Sequence, residues 1–181
     1  MNLGCPCLAY AELSPLMSHE IEVKVKLSVE AFAPAGIRLE VHTARHFEDN
    51  WLLDTEAHQL GRQWSVLRVR AADGKGLLTF KGEADDSAPE SQFKLREELE
   101  TELGNAYEAL AIFDRLGFHR FFRYQKYRSV YEAHLPSGKS LHVMADETPL
   151  GDFLELEGEE DAIAEAVNLL GISPADYILE S

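Results

Sequence analysis

The stretch H-E-I-E-V-K-V-K-L, residues 19–27, alternates charged and aliphatic side chains from its second position onward. Successive side chains of a β-strand point to opposite faces, so this period of two predicts a strand. One face carries Glu20, Glu22, Lys24 and Lys26, and the other carries only aliphatic residues. A fold for this chain must therefore accommodate a strand face that aligns two carboxylates with two ammonium groups.

The same alternation recurs along the chain. Each later predicted strand also carries charged residues on one face. Strand by strand, these residues are Arg68 and Arg70; Lys81, on the same face as Thr79; Lys94, Arg96, Glu98 and Glu100; Lys126 and Arg128; Asp146; and Glu155 and Glu157. For any one strand, a solvated face remains the better interpretation. Jointly, positions that are nearly all charged, with both signs present, favour a closed sheet with a charged interior and an apolar exterior covered by helices.

Strands dominate the predicted secondary structure, and most of them are joined by hairpin-like links, which predicts an antiparallel sheet. Residues 38–54 are predicted to be extended structure interrupted by a turn, and the acidic stretch 82–90 to be a mobile loop. Helices are predicted at 105–116, ended by Gly117, and at 160–170, ended by Gly171. The fold class is therefore α+β.

Composition limits the possible partners. The 181 residues suit one domain, and 32 acidic against 17 basic residues give a net charge of −15. This balance argues against nucleic acid or an anionic membrane as the main partner. The only cysteines, Cys5 and Cys7, are too close to staple a domain, which favours a reducing cytoplasm. Residues 1–17 are predicted to be a disordered tail, and 18–181 a single domain.

The charged faces indicate a chemistry. Carboxylate pairs are hard oxygen ligands suited to Mg²⁺ or Mn²⁺, and the sequence contains no Cys/His cluster for softer metals. Lysines and arginines are donors for phosphate oxygens. The sequence lacks a glycine-rich phosphate-binding loop, so side chains would have to hold the phosphates. Together these features predict a site for a metal-bound polyphosphate.

The order of the motifs resembles that of a known family. Glu20-x-Glu22-x-Lys24 is followed by L-R-V-R, L-T-F-K-G, R-E-E-L-E, K-Y-R and A-D-E-T-P-L-G-D-F-L-E-L-E-G. This series is similar to the CYTH family, the triphosphate tunnel metalloenzymes, over residues 19–177. The family includes class IV adenylate cyclases, thiamine triphosphatases and inorganic tri- and polyphosphatases.

The resemblance implies an eight-stranded antiparallel β-barrel tunnel with helices packed outside and a triphosphate bound inside. The metal ligands that it implies are Glu20, Glu22, Glu155 and Glu157, with Glu98, Glu100 and Asp146 as further carboxylates. The phosphate-binding and catalytic residues that it implies are Lys24, Arg68, Arg70, Lys81 and Arg128, with Lys126 as a further phosphate-binding residue. Arg96 would not bind phosphate but would instead pair with neighbouring carboxylates in a structural role. The acidic loop and the segment H-F-E-D-N-W are candidates for shaping specificity at the tunnel mouths.

Three functions stay open on the sequence. The first is a metal-dependent triphosphatase that hydrolyses the terminal phosphoanhydride of inorganic, nucleoside or thiamine triphosphate. The others are a class IV-type adenylate cyclase and a non-catalytic polyphosphate-binding module. The chain contains no separate motif for a base or ribose, and Trp51 and Trp64 are predicted either to stack on a ring or to pack outside the barrel. A monomer and a homodimer are both compatible with the sequence.

Overall fold

The sheet closes on itself because its first strand pairs with two partners. The computed structural model describes residues 18–84 and 94–178. Within them, the strands are β1 (Ser18–Val25), β2 (Arg38–Thr55), β3 (Val66–Ala72), β4 (Lys75–Ala84), β5 (Lys94–Leu103), β6 (Phe118–His134), β7 (Ser140–Thr148) and β8 (Gly151–Glu157). The order around the barrel is β1-β5-β4-β3-β2-β6-β7-β8, and every pairing is antiparallel. The predicted eight-stranded antiparallel tunnel is confirmed.

Short helices lie between the strands and after the last strand. They are α1 (Gln59–Arg62), α2 (Ala106–Arg115) and α3 (Glu160–Leu169), with 3₁₀ turns at Val29–Ala31 and Pro174–Asp176. The side chain of Asn105 accepts hydrogen bonds from the first backbone N–H groups of α2, as an N-cap does. Just beyond this helix Gly117 adopts φ +89°, a left-handed conformation that favours glycine. In the described part of the chain, no helix has the length and apolar character needed to cross a membrane.

The apolar faces of the strands point outward and pack under the helices. Ile163 and Val167 of α3 belong to one buried cluster together with Val23 of β1 and Leu156 of β8. A second cluster lies under α2 and contains Trp51, Val69 and Leu110. The core of this protein therefore lies between the barrel and its helices, which leaves the inner face of the sheet to the charged residues.

The long second strand corrects one prediction. The turn expected within residues 38–54 is absent from the structure, because β2 continues through 18 residues. Its pairing with β6 instead shifts register between Val41 and Thr43 and again between Thr43 and His46. Such bulges bend a strand while its neighbour remains hydrogen-bonded to it, so no turn is needed.

Two other predictions have a mixed outcome. The first residues of the expected loop at 82–90 belong to β4, which ends at Ala84, and the remainder lies outside the described residues, as does the predicted tail at 1–17. The helix predicted at 105–116 is present as α2. Of its apolar positions Leu110 is buried, whereas Ile112 and Leu116 are exposed.

Because the core lies outside the barrel, stability should depend on the α3 contact. Ile163 is fully buried, and we expect Ile163→Ala to lower the free energy of unfolding by about 2–5 kcal/mol through lost contacts and a cavity. Ile112, 59% exposed on α2, provides the matched control, and Ile112→Ala should change stability by at most about 0.5 kcal/mol. Urea unfolding followed by circular dichroism measures both, and equal losses would contradict this location of the core.

Candidate functional site

The barrel interior contains a cavity of about 1640 Å³ lined by charged side chains from seven of the strands. Twelve of the predicted site residues line it: Glu22, Lys24, Arg68, Arg70, Lys81, Glu98, Glu100, Lys126, Arg128, Asp146, Glu155 and Glu157. The thirteenth is Glu20, whose side chain is not among those that the structure describes. The prediction that the charged faces converge is therefore supported by the geometry, whereas the individual roles of these residues remain predictions.

Arg128 on β6 is at the centre of the ion-pair network. Its Nε and Nη2 donate to Oδ1 and Oδ2 of Asp146 at 2.6 and 2.7 Å, and Nη2 also donates to Glu155. Lys126 Nζ lies 2.7 Å from Asp146 Oδ2, and Lys24 Nζ lies 3.1 Å from Glu155 Oε1. Both Asp146 oxygens thus accept hydrogen bonds from cationic donors.

A second group of polar contacts lies on β3, β4 and β5. Lys81 Nζ is 2.9 Å from Glu98 Oε2. Arg68 Nη2 donates to Thr79 Oγ1 at 3.3 Å, and this hydroxyl donates to Glu100 Oε1 at 2.6 Å. These contacts join β3 to β4 and β4 to β5 through side chains that face the cavity.

Glu48 on β2 is a residue that the sequence analysis missed. It is only 1% exposed, and its Oε1 lies 3.4 Å from Arg70 Nη1 and 3.3 Å from His46 Nε2. Its Oε2 has no hydrogen-bond partner, although Lys126 Nζ lies 3.6 Å away. Within H-F-E-D-N-W the period of two does align Glu48 with Asn50, whose side chain accepts from Arg70 Nε at 3.2 Å. That alignment was the signal available in the sequence.

The buried charged groups shift one another's pKa values. Burial opposes the charge of Glu155, but Arg128, Lys126 and Lys24 outweigh it and hold the pKa of this carboxyl well below its usual range. The pKa of Glu48 is lowered too, because Arg70, Arg128 and Lys126 together outweigh its burial. Burial and the nearby Arg128 lower the pKa of Lys126. The cavity therefore presents ionised carboxylates that act as counterions for its cations.

The tunnel carboxylates are of the right chemical type for a hard divalent cation, although the described ones are not gathered around one point. Glu22 on β1 and Glu157 on β8 are register partners, and Glu155 precedes Glu157 on the same face of β8. Carboxylate oxygens are ligands that Mg²⁺ and Mn²⁺ prefer. Among the described residues no three His, Cys, Asp or Glu side chains are gathered closely enough to hold a metal ion.

A family comparison agrees with this architecture. The family model for the CYTH domain matches residues 18–178. The chain belongs to the CYTH family. CYTH proteins are metal-dependent tunnel enzymes that bind triphosphates.

Relatives of this CYTH domain extend over nearly its whole length. A Methanocaldococcus jannaschii protein with a provisional adenylate cyclase name is 27% identical in an alignment 178 residues long, which covers 90% of this chain and 95% of that protein. A Vibrio parahaemolyticus structure with a similar provisional name has TM-score 0.70 and 22% identity, covering 91% of this chain and 95% of that one. A Hippeastrum structure has TM-score 0.59 and 21% identity, covering 91% of each chain. The two structural matches support the fold.

We expect Glu48 to contribute to stability as an ionised group. Because its folded-state pKa is lowered, the unfolded chain binds the proton first as pH falls, so this stabilisation is complete above about pH 4.5 and is lost as pH falls through the folded-state pKa. Glu48→Gln should therefore cost about 3 kcal/mol at pH 7 and much less near pH 3. Urea unfolding across this pH range measures the difference.

The exposed Glu30 provides the matched control for that experiment. Glu30→Gln removes the same charge without touching the cavity, and its effect should be within about 0.5 kcal/mol at both pH values. A loss for Glu48→Gln that is equally large at pH 3 and pH 7 would show that packing, and not charge, makes Glu48 important.

Proposed function

We propose that this CYTH protein is a divalent-metal-dependent triphosphatase that hydrolyses the terminal phosphoanhydride of a triphosphate held inside the tunnel. One observation carries the proposal: the cavity inside the barrel is lined by a dense set of lysines and arginines whose counterions are carboxylates. Phosphate oxygens, like carboxylate oxygens, are anionic hydrogen-bond acceptors, so a triphosphate can replace the carboxylates as the partner of these cations.

The basic residues divide between the two sides of the tunnel. Arg128 and Lys126 on β6, with Lys24 on β1, lie on one side, and Arg68, Arg70 and Lys81 lie on the other. Arginines bind phosphate oxygens bidentately, and lysines add point charges. These two sets of basic side chains hold the triphosphate in an extended conformation and stabilise the charge that develops on the departing phosphate. Asp146 orients Arg128 through its paired hydrogen bonds.

The carboxylates supply the metal site in this proposal. Glu22 and Glu157, with Glu20 and Glu155, are the residues that would hold Mg²⁺ or Mn²⁺, and Glu98, Glu100 and Asp146 remain further candidates. When bound, such a cation screens phosphate oxygens and lowers the pKa of a bound water. In the hydrolysis, a water oxygen attacks the terminal phosphorus, and the bond from that phosphorus to its bridging oxygen breaks.

An adenylate cyclase is the second candidate, and the provisional name of the Methanocaldococcus jannaschii relative favours it. Cyclisation requires the ribose 3′ hydroxyl to reach the α-phosphorus with a precision of about an ångström, whereas hydrolysis requires only water. The Hippeastrum protein, although provisionally named an adenylyl cyclase, is described as having a dominant triphosphatase activity. A non-catalytic polyphosphate-binding module is the third candidate, and the complete set of charged motifs argues against it.

Product analysis distinguishes these candidates. We expect the protein with Mg²⁺ or Mn²⁺ to release orthophosphate from at least one of ATP, thiamine triphosphate and inorganic triphosphate, with cyclic AMP absent or minor. Chromatography of the nucleotides and a phosphate assay measure both outcomes. Cyclic AMP and pyrophosphate as the main products would instead identify a cyclase, and binding of all three compounds without turnover would identify a binding module.

Removing single carboxylates tests the metal assignment. We expect Glu20→Gln, Glu22→Gln and Glu157→Gln each to reduce metal-dependent turnover to the background rate, because an amide oxygen is a weaker ligand for a hard cation. Circular dichroism of the metal-free variants should still show a folded sheet, so that a loss of turnover reports on the metal site and not on folding. Glu108→Gln on the outer helix α2 is the matched control and should retain full turnover. Wild-type activity in all three tunnel variants would contradict the assignment.

A further inference from the structure

The inner face of β6 changes character along its length. Phe122, Tyr124, Lys126 and Arg128 follow one another at every second position, and all four line the cavity. Neighbouring positions on one face of a strand are about 7 Å apart. A ligand that lies along this strand therefore meets two basic side chains at one end and two aromatic rings at the other.

The aromatic end of the cavity has apolar neighbours. Leu52 on β2 is the register partner of both Phe122 and Arg68, and Val66, two residues before Arg68 on the same face of β3, lines the same cavity. The rings of Phe122 and Tyr124 have centroids 6.1 Å apart and an interplanar angle of 31°. These side chains form an apolar mouth, defined here as Leu52, Val66, Phe122 and Tyr124, that is continuous with the charged interior.

The exposure of Phe122 requires an explanation. Its side chain is 54% exposed although it lies on the inner face of the barrel, whereas Trp51, on the outer face of β2, is buried beneath α2. Fold stability accounts for the buried ring, since it packs in a hydrophobic cluster. The ring of Phe122 instead presents apolar surface to the cavity, as ring-binding sites do.

Tyr124 links the apolar mouth to the basic residues. Burial opposes the charge of Arg68, but the neighbouring Tyr124 hydroxyl favours it and contributes to a raised pKa of this arginine. The aromatic ring therefore lies directly beside a guanidinium that the proposed function assigns to phosphate binding. A phosphate held by Arg68 would have its organic substituent next to Tyr124.

We propose that the substrate is a triphosphate that carries a planar organic ring, with the ring on Phe122 and Tyr124 and the phosphates toward Lys126 and Arg128. This inference rests on the proposed function and selects among its substrates, favouring a nucleoside or thiamine triphosphate over inorganic triphosphate. Stacking on aromatic side chains tolerates different rings, so the apolar mouth selects for a ring and not for one base. It is compatible with either reaction, because stacking alone does not aim a ribose hydroxyl.

Trp64 is not part of this site. It was one of two tryptophans expected either to stack on a ring or to pack outside the barrel, but it is 71% exposed and does not line the cavity. Trp51, the other, packs against the outer face of the barrel. The residues suited to stacking are instead two aromatics of β6.

Calorimetric binding of methylene-bridged analogues of ATP and of inorganic triphosphate, which resist cleavage at the bridged position, tests the inference. With Mg²⁺ present, the wild-type protein should bind the ATP analogue more tightly. Phe122→Ala should reduce that preference about tenfold, the scale of one lost stacking contact. Phe47 on the outer face of β2 is a matched control, 40% exposed, and Phe47→Ala should leave the preference unchanged.

The outcomes separate this inference from the proposed function. Equal binding of both analogues by the wild type, with no effect of Phe122→Ala on their ratio, would overturn the ring site and leave a triphosphatase possible. Failure to bind either analogue would overturn both. Size-exclusion chromatography adds one more result: a wild-type dimer that Phe122→Ala converts to a monomer would show that a second copy covers the apolar mouth, and would also overturn the ring site.

Discussion

The ion pairs inside the barrel are the constraint on which the rest of this structure depends. Arg128 is shared by Asp146 and Glu155, and Asp146 is shared in turn by Lys126. Removing an ion from water costs several kcal/mol, and the cost is recovered only when opposite charges meet with good geometry. Because the partners lie on β6, β7 and β8, the network forms only when these strands are adjacent and in register.

Because charged side chains fill the interior of the barrel, the hydrophobic core must lie on its outer surface. The alternate side chains of the same strands are aliphatic or aromatic, so the outer surface of the barrel must be covered. The helices α2 and α3 cover two parts of it, and each forms a separate hydrophobic cluster with the strands beneath. The α+β character of the protein thus follows from the inverted barrel, since a sheet with a polar interior has its core on the opposite face.

The same ion-pair network would couple the binding of the proposed triphosphate to the binding of the proposed metal. Carboxylates of the tunnel neutralise the cations that would hold phosphates. A triphosphate that takes over these cations leaves the carboxylates without partners, and a divalent cation is a suitable replacement. Under the proposed function, anion and metal would therefore favour each other's binding, with the buried carboxylates as the shared groups.

The sequence by itself determined which residues share a face, because a strand alternates its side chains with a fixed period of two. The positions of Lys24, Arg68, Arg70, Arg128 and Glu155 in the tunnel could be predicted for that reason. Which residues meet across strands was decided only by the tertiary structure: Lys24 and Glu155 are 131 positions apart and become neighbours when β1 closes the ring on β8. Glu48 was missed because its strand is irregular, with bulges where a turn was expected. The apolar mouth was missed because F-F-R-Y contains no simple alternation, and only closure of the barrel brings Phe122 and Tyr124 together with Leu52 around one opening.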